Sequence, residues 1–266
     1  RNDNTITLIR SGTSWTVNNK YLVREAAINT LLETANKIRL KNPVPKNIFD
    51  NVIKFMSTSG VYVEFFDGDN IIVSYTIGSN TPDHLANYML LENSQVPYVV
   101  NIPSFNGFLS PRYGIQANEV NENNWRSHLV FNIPADSIKF IRYTNYMNPS
   151  YSYQLNFNPT ILLSNNQKSI SFNQKEVFLL KSNFLKLNCE AFKLNETNLD
   201  ELQKIEQLIV NSDTLTTYQM SSSKISTKKD NFTVERKYAT LNDGDLMIIQ
   251  NYVFNKVLIN IKELIN

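Results

Sequence analysis

The chain has 266 residues, with 26 Lys+Arg against 24 Asp+Glu and a formal net charge of +2, a length that suits one large domain or two ordinary ones and a balance that excludes a nucleic-acid binder working through a broad basic footprint. Hydrophobic residues at 42% and aromatic residues at 11% supply a packed core and exclude wholesale disorder. A single cysteine excludes an intrachain disulfide and any multi-cysteine metal site, two histidines leave little for a zinc centre, and none of the 7 glycines falls in a phosphate-cradling spacing.

Asparagine is unusually frequent, at 38 residues. Two readings stand side by side: an AT-rich coding sequence, or an asparagine-lined surface for sugars. The chain begins Arg1-Asn2-Asp3-Asn4, and no apolar run approaches the roughly 20 residues that cross a bilayer. The expectation is a chain whose N-terminal signal or anchor and first strand lie outside this sequence.

Thr5 to Arg10 reads as a strand, Ser11 to Ser14 as a turn, Trp15 to Val17 as a second strand, and Asn18-Asn19 as the next turn. From Tyr21 to Lys41 the period changes. Val23, Ala27, Leu31, Ala35 and Ile38, with Ile28 and Leu32, form one apolar stripe of a helix. Pro43 and Pro45 are predicted to end it, and Pro45 to open a second helix that buries Phe49, Val52, Ile53 and Met56 and closes at Gly60. Val61 to Phe66 and Ile71 to Ile77 flank Asp67-Gly68-Asp69-Asn70. Asp-Gly between two strand-like runs predicts a hairpin, and a calcium loop would need more oxygen ligands at fixed spacing. Tyr88 to Leu91 and Tyr98 to Ile102 give a further strand pair.

The halves then repeat. Phe105 to Leu109 matches Phe254 to Leu258 at an offset of 149, which also carries Val99-Val100 onto Ile248-Ile249. The same offset carries Ile28, Leu31, Ala35 and Ile38 onto Val177, Leu180, Phe184 and Leu187. Tyr88 and Leu91 match Tyr238 and Leu241 at 150. At 153, Phe49, Val52 and Met56 fall on Leu202, Ile205 and Ile209, which predicts a second helix in the second half. Ser137 to Tyr143 is an extra strand before Tyr151 to Phe157, and its counterpart in the first half would precede residue 1. A meander over Thr214 to Met220, Phe232 to Arg236 and Tyr238 to Leu258, with a tight turn at Asn242 to Asp245, completes the second copy.

The predicted fold is α+β: two tandem copies of a module with a mostly antiparallel sheet and two consecutive helices packed on one face. The first copy spans 1–132, a polar joint lies within 110–136, and the second copy spans 133–266. Tyr151, Tyr153, Leu155 and Phe157 share one strand face, read as packing within the sheet core or between copies, against a stripe that stacks sugars or covers a partner.

Reactive material is sparse. Cys189 lies near the end of an amphipathic helix and reads as a buried structural thiol. His84, after Thr81-Pro82-Asp83, and His128, after Trp125-Arg126-Ser127, are 44 residues apart and make a thin case for a hydrolase. No nucleophile elbow, Walker loop, zinc-protease helix or dinucleotide fingerprint is present. Lys224, Lys228, Lys229, Arg236 and Lys237 collect in one hairpin, read as a solvated hairpin or as a contact for anionic lipid or a partner.

Trp15-Thr16-Val17-Asn18, Pro43-Val44-Pro45-Lys46, the run Tyr98 to Leu109, Pro111-Arg112-Tyr113 and Trp125-Arg126 together resemble the bacterial family called domain of unknown function 4340, in the form common in Bacteroidota. The resemblance covers nearly the whole chain. It implies an N-terminal hydrophobic anchor followed by a soluble part on the periplasmic side of the cell envelope. Some relatives are associated with gliding-type ABC transporter components. The family has no agreed activity, so no catalytic residue follows from it. Lys256 departs from the pattern where the first copy has Gly107. The lineage also implies O-glycan sites of the form Asp-Ser/Thr-apolar at Ser137 and Thr214.

These readings lead to an envelope protein that is not an enzyme and has no cofactor, metal or nucleic-acid partner. It would act as an interaction or scaffold module of an envelope complex, through Tyr98, Phe105, Asn106, Gly107, Phe108, Arg112, Tyr113, Trp125 and Arg126. The alternative is a binding module for a glycan or a small envelope ligand.

Overall fold

A computed structural model describes residues 4–158, 160–165, 168–193, 197–220 and 235–265. Among them are four α-helices, and every strand pairing is antiparallel, so the class is α+β. The chain divides into two compact units, 1–127 and 128–266. No helix among the described residues is long and apolar enough to cross a membrane.

Unit 1 starts with three short strands, β1 (Leu8–Ser11), β2 (Ser14–Val17) and β3 (Tyr21–Leu22), paired in that order. Asn18 and Asn19 turn the chain between the last two with positive φ of 52° and 55°, a conformation in which asparagine is tolerated better than branched residues. Helix α1 (Glu25–Lys37), strand β4 (Arg39–Pro43) and helix α2 (Phe49–Ser59) follow. Then comes a meander of β5 (Val61–Asp67), β6 (Asn70–Asn80), β7 (Asn87–Leu91) and β8 (Tyr98–Asn101). A small ladder of β9 (Ile115–Gln116) and β10 (Glu119–Val120) completes the unit. The main sheet has the order β4-β8-β7-β6-β5.

Three expectations are corrected here. On α1 the buried positions are Ile28, Leu31 and Thr34, while Leu32 is exposed, so the stripe turns toward Thr34, whose hydroxyl bonds back to the Thr30 carbonyl at 2.6 Å. The prolines do not end the helix. It stops at Lys37, and Pro43 sits at the end of an edge strand, where a missing N–H costs no ladder bond. The two helices also take opposite faces of the sheet. Ile28 and Leu31 pack with Tyr75, Ile77, Met89 and Val100, whereas Val52 and Met56 pack with Tyr88 and Val99. Residues 88 and 89, like 99 and 100, alternate along one strand and so point to opposite faces. The intervening β4 runs along the sheet edge and returns the chain on the other side. Gly60 and Gly78 let α2 lie close to the sheet: a Cβ on Gly60 would stand 2.6 Å from the Thr76 side chain of β6, and one on Gly78 2.8 Å from the Met56 side chain. Between β5 and β6, Gly68 has φ +59°, the first central position of the predicted Asp-Gly hairpin.

Unit 2 contains β11 (Leu129–Phe131), β12 (Phe140–Asn145), β13 (Tyr153–Asn156), β14 (Leu162–Asn165), β15 (Lys168–Ile170) and helix α3 (Gln174–Ser182). It continues through β16 (Leu187–Asn188), β17 (Ala191–Phe192), β18 (Lys204–Val210), β19 (Asp213–Tyr218), β20 (Arg236–Leu241), β21 (Met247–Gln250) and the one-turn helix α4 (Asn251–Phe254). Its large sheet has the order β15-β14-β13-β12-β18-β19-β20-β21-β17. The core joins Ile141, Tyr143, Leu155, Leu208 and Leu215 to Val177, Leu180 and Phe184.

The second helix predicted for this half is overturned. Leu202, Ile205 and Ile209 fit a helical spacing, but residues 204–210 form a strand whose buried members are Glu206, Leu208 and Val210, at period 2. Consecutive β-branched residues favour the strand, and Asn211 ends it with φ +55° in a hairpin to β19. Tyr153 and Leu155 are buried and Phe157 packs on the same core, as expected for that face. Of the basic hairpin, Arg236 and Lys237 start β20, while Lys224, Lys228, Lys229 and residues 232–234 of the strand expected over Phe232 to Arg236 lie outside the described residues.

Candidate functional site

Of the interaction residues read from the sequence, Phe105, Gly107 and Arg112 gather near one end of α1 and Trp125 and Arg126 near the other, while Tyr98 lies in β8 and Phe108 beside His84. Near the C-terminal half of α1, Arg112 donates to Thr34 Oγ1 at 2.7 Å and to Glu33 Oε2 at 2.9 Å, and its guanidinium lies 4.8 Å from the centre of the Phe105 ring. Lys37 reaches the other Glu33 oxygen at 2.7 Å. These two cations hold the Glu33 carboxyl below its ordinary value, the Lys37 hydrogen bond contributing most. Gly107 accommodates the Phe105 ring, since a Cβ there would be 3.0 Å from two ring carbons. Near the N-terminal end of α1, the Trp125 carbonyl accepts from the Arg24 N–H at 2.8 Å, the Arg24 side chain donates to the Asn124 carbonyl, and the Arg126 guanidinium lies 3.6 Å from the Tyr21 ring centre.

Residues 105–126 therefore act as a strap that grips α1 near both ends. Tyr113 and Trp125 are buried in the unit 1 core and cannot themselves meet a partner. Tyr113 shares a 2.8 Å hydroxyl contact with Tyr75, and burial pushes the pKa of both phenols up. Tyr98, Phe105, Phe108, Gly107, Arg112 and Arg126 are half-buried, and Asn106 is exposed. The segment expected to be a joint thus contributes Tyr113, Ile115 and Trp125 to the core of unit 1.

Asn87 locks the start of this strap. It is fully buried, donates to the Gly78 carbonyl at 3.1 Å and to Ser110 Oγ at 2.8 Å, and accepts the N–H groups of Leu109 and Ser110. His84 has φ +58°, lies 2.6 Å from the Asn80 amide through Nδ1, and approaches Phe108 at 6.1 Å. His128 meets the Phe192 ring edge-on at 5.7 Å. Cys189 is buried, as expected of a structural thiol, but it follows strand β16 and is not near a helix end as expected, because α3 stops at Ser182. Ser137 is exposed, and its carbonyl accepts from the Asn211 amide at 3.0 Å. Thr214 is half-buried within β19, with its N–H on Asn242 Oδ1 at 2.7 Å.

A polar cluster that sequence reasoning missed lies inside unit 2. Glu206 on β18 pairs with Lys237 on β20 at 3.1 Å, and the Tyr143 hydroxyl takes the Asn145 amide at 3.1 Å. The Tyr143 and Tyr153 rings stack with centres 5.5 Å apart. Burial raises both phenol pKa values, with the charges of Glu206 and Glu263 adding to the rise at Tyr143 and those of Tyr143 and Glu263 at Tyr153. Glu206 is 8% exposed and Tyr153 3%, and among the described residues Glu206 Oε2 and the Tyr153 hydroxyl have no hydrogen-bond partner. The available signal was Glu206 itself, a charge in the alternating row Glu206, Leu208, Val210. Among the described residues no group of three or more His, Cys, Asp or Glu could hold a metal ion.

Comparison with protein-family models, with curated proteins and with solved structures finds no match.

Proposed function

We propose that this protein is a non-enzymatic interaction or scaffold module of the cell envelope, built as two copies of one sheet module and joined to a membrane and to an envelope complex. The observation that carries the interaction reading is the β5–β6 hairpin, where Tyr62, Phe66, Ile71 and Ile72 are 48%, 54%, 54% and 67% exposed. Four large apolar side chains are exposed on this one hairpin, and Phe66 faces Ile71 across it; exposed apolar side chains gathered in this way mark contact surfaces. The envelope location draws on the resemblance described above.

The tandem reading draws on strand order and register. The order β4-β8-β7-β6-β5 recurs as β17-β21-β20-β19-β18. Tyr88 faces Val99 as Tyr238 faces Ile248, and Met89 faces Tyr98 as Ala239 faces Met247. Val61 faces Ile77 as Glu206 faces Thr217. In α1 and α3 the buried pairs Ile28 and Leu31, and Val177 and Leu180, keep the same offset.

The test compares the native protein with a Phe66→Asp/Ile72→Asp variant, both captured from native membranes in mild detergent. A stoichiometric partner should accompany the native protein and be lost from the variant, with thermal unfolding unchanged. Recovery of the native protein alone at native levels contradicts the reading.

A further inference from the structure

In unit 2 the sheet passes from β13 through β12 to β18 without a break: Tyr143 faces Tyr153 on one side and Leu208 on the other. In unit 1 the strands of the same rank are β1 and β5, and among the described residues each lies at the edge of its own sheet. Both nevertheless feed one core, to which Ile6, Leu8, Val61, Val63 and Phe65 contribute. The inward rows differ in cover. Leu208 and Val210 of β18 are fully buried, whereas Val63 and Phe65, which take their places on β5, are only half-buried. Among the described residues, the two sheets of unit 1 follow the strand order of the unit 2 sheet with no strand at the rank of β12.

We propose that this vacancy is a strand-accepting slot, filled by one extended segment that adds antiparallel to β5 as the six-residue β12 adds to β18. The occupant is polypeptide of this same protein leading into β1, as β12 leads into β13 through residues 146–152. It carries apolar side chains at alternate positions, in the manner of Ile141 and Tyr143, which fill the unit 2 core. The driving forces are the unpaired N–H and C=O row of an edge strand and the half-covered apolar row behind it. The inference rests on the tandem reading above.

Hydrogen exchange on two chains tests it: the 266-residue protein, and the same protein with a copy of residues 138–152 placed ahead of Asn4. The outward amides of β5 should exchange fast in the first chain and slow by about tenfold or more in the second. Changing the grafted counterpart of Ile141 to Asp should restore fast exchange. Three outcomes overturn the slot: β5 already protected in the 266-residue chain at every concentration, protection that rises with protein concentration and so comes from a second copy, or a graft that leaves β5 unprotected. Protection along β18 to β21 separates the two failures. If the unit 2 ladder is intact and the graft does nothing, only the slot falls; if that ladder is absent, the tandem reading falls with it.

Discussion

Asparagine carries much of the local geometry in this glycine-poor chain. Among the described residues, five of the nine non-glycine residues with positive φ are asparagines: Asn18, Asn19, Asn118, Asn211 and Asn242. Asn121, Asn148, Asn173, Asn198 and Asn260 cap helical turns through their side chains. The side chains of Asn18, Asn211, Asn242 and the five capping residues accept backbone N–H groups. Asn87→Ala should lower stability by about 2–3 kcal/mol in denaturant unfolding, because it leaves buried backbone groups of Gly78 and Leu109 without their partner. Charge acts at the same scale. Glu33 and Glu190 are held below the ordinary carboxyl value of 4.5, first by hydrogen bonds from Lys37 and Arg236. A carboxyl lowered in the folded state contributes stability that is present above its unfolded pKa and is lost as pH falls through the folded one. The Glu33→Gln/Glu190→Gln variant should therefore show a flatter decline of stability below about pH 4.5 in urea titrations.

At the level of elements, the sequence was most legible where two independent signals agreed. The turns at Asn18-Asn19 and Gly68, the strand pair Tyr88 with Val99, and the buried face of α1 at Ile28 and Leu31 all follow from local residues. Strand β18 was not legible, because Leu202, Ile205 and Ile209 satisfy the helical period while Glu206, Leu208 and Val210 satisfy the strand period. Only its position between β12 and β19 decides. The opposite placement of α1 and α2 was hidden for a similar reason: β4 is exposed throughout and carries no apolar alternation. The polar cluster was partly hidden because Lys237 approaches Glu206 only through tertiary pairing. Lys237→Met should cost about 3–5 kcal/mol, since it strands a buried carboxylate, and Lys237→Met/Glu206→Leu should recover most of that loss. Thermal or urea unfolding of both variants checks the order.

For the molecule as a whole, both units bury a tyrosine pair, Tyr75 with Tyr113 and Tyr143 with Tyr153. Burial raises all four phenols above their ordinary value of 10.0. Above that pH the unfolded chain releases protons that the folded chain retains, so stability falls as pH rises. These four are expected to ionise only together with unfolding. The part of the tyrosinate absorbance contributed by these four of the 13 tyrosines should then rise in step with the loss of far-ultraviolet dichroism, and absorbance for all 13 completed before that loss would contradict it. The proposed scaffold depends on β18 holding in unit 2 the rank that β5 holds in unit 1. Cross-strand proton contacts by nuclear magnetic resonance test that most directly. The expected result is close α-proton or amide contacts linking Leu208 to Tyr143 on one side and to Leu215 on the other; helical contacts three residues apart along 202–210 would contradict it.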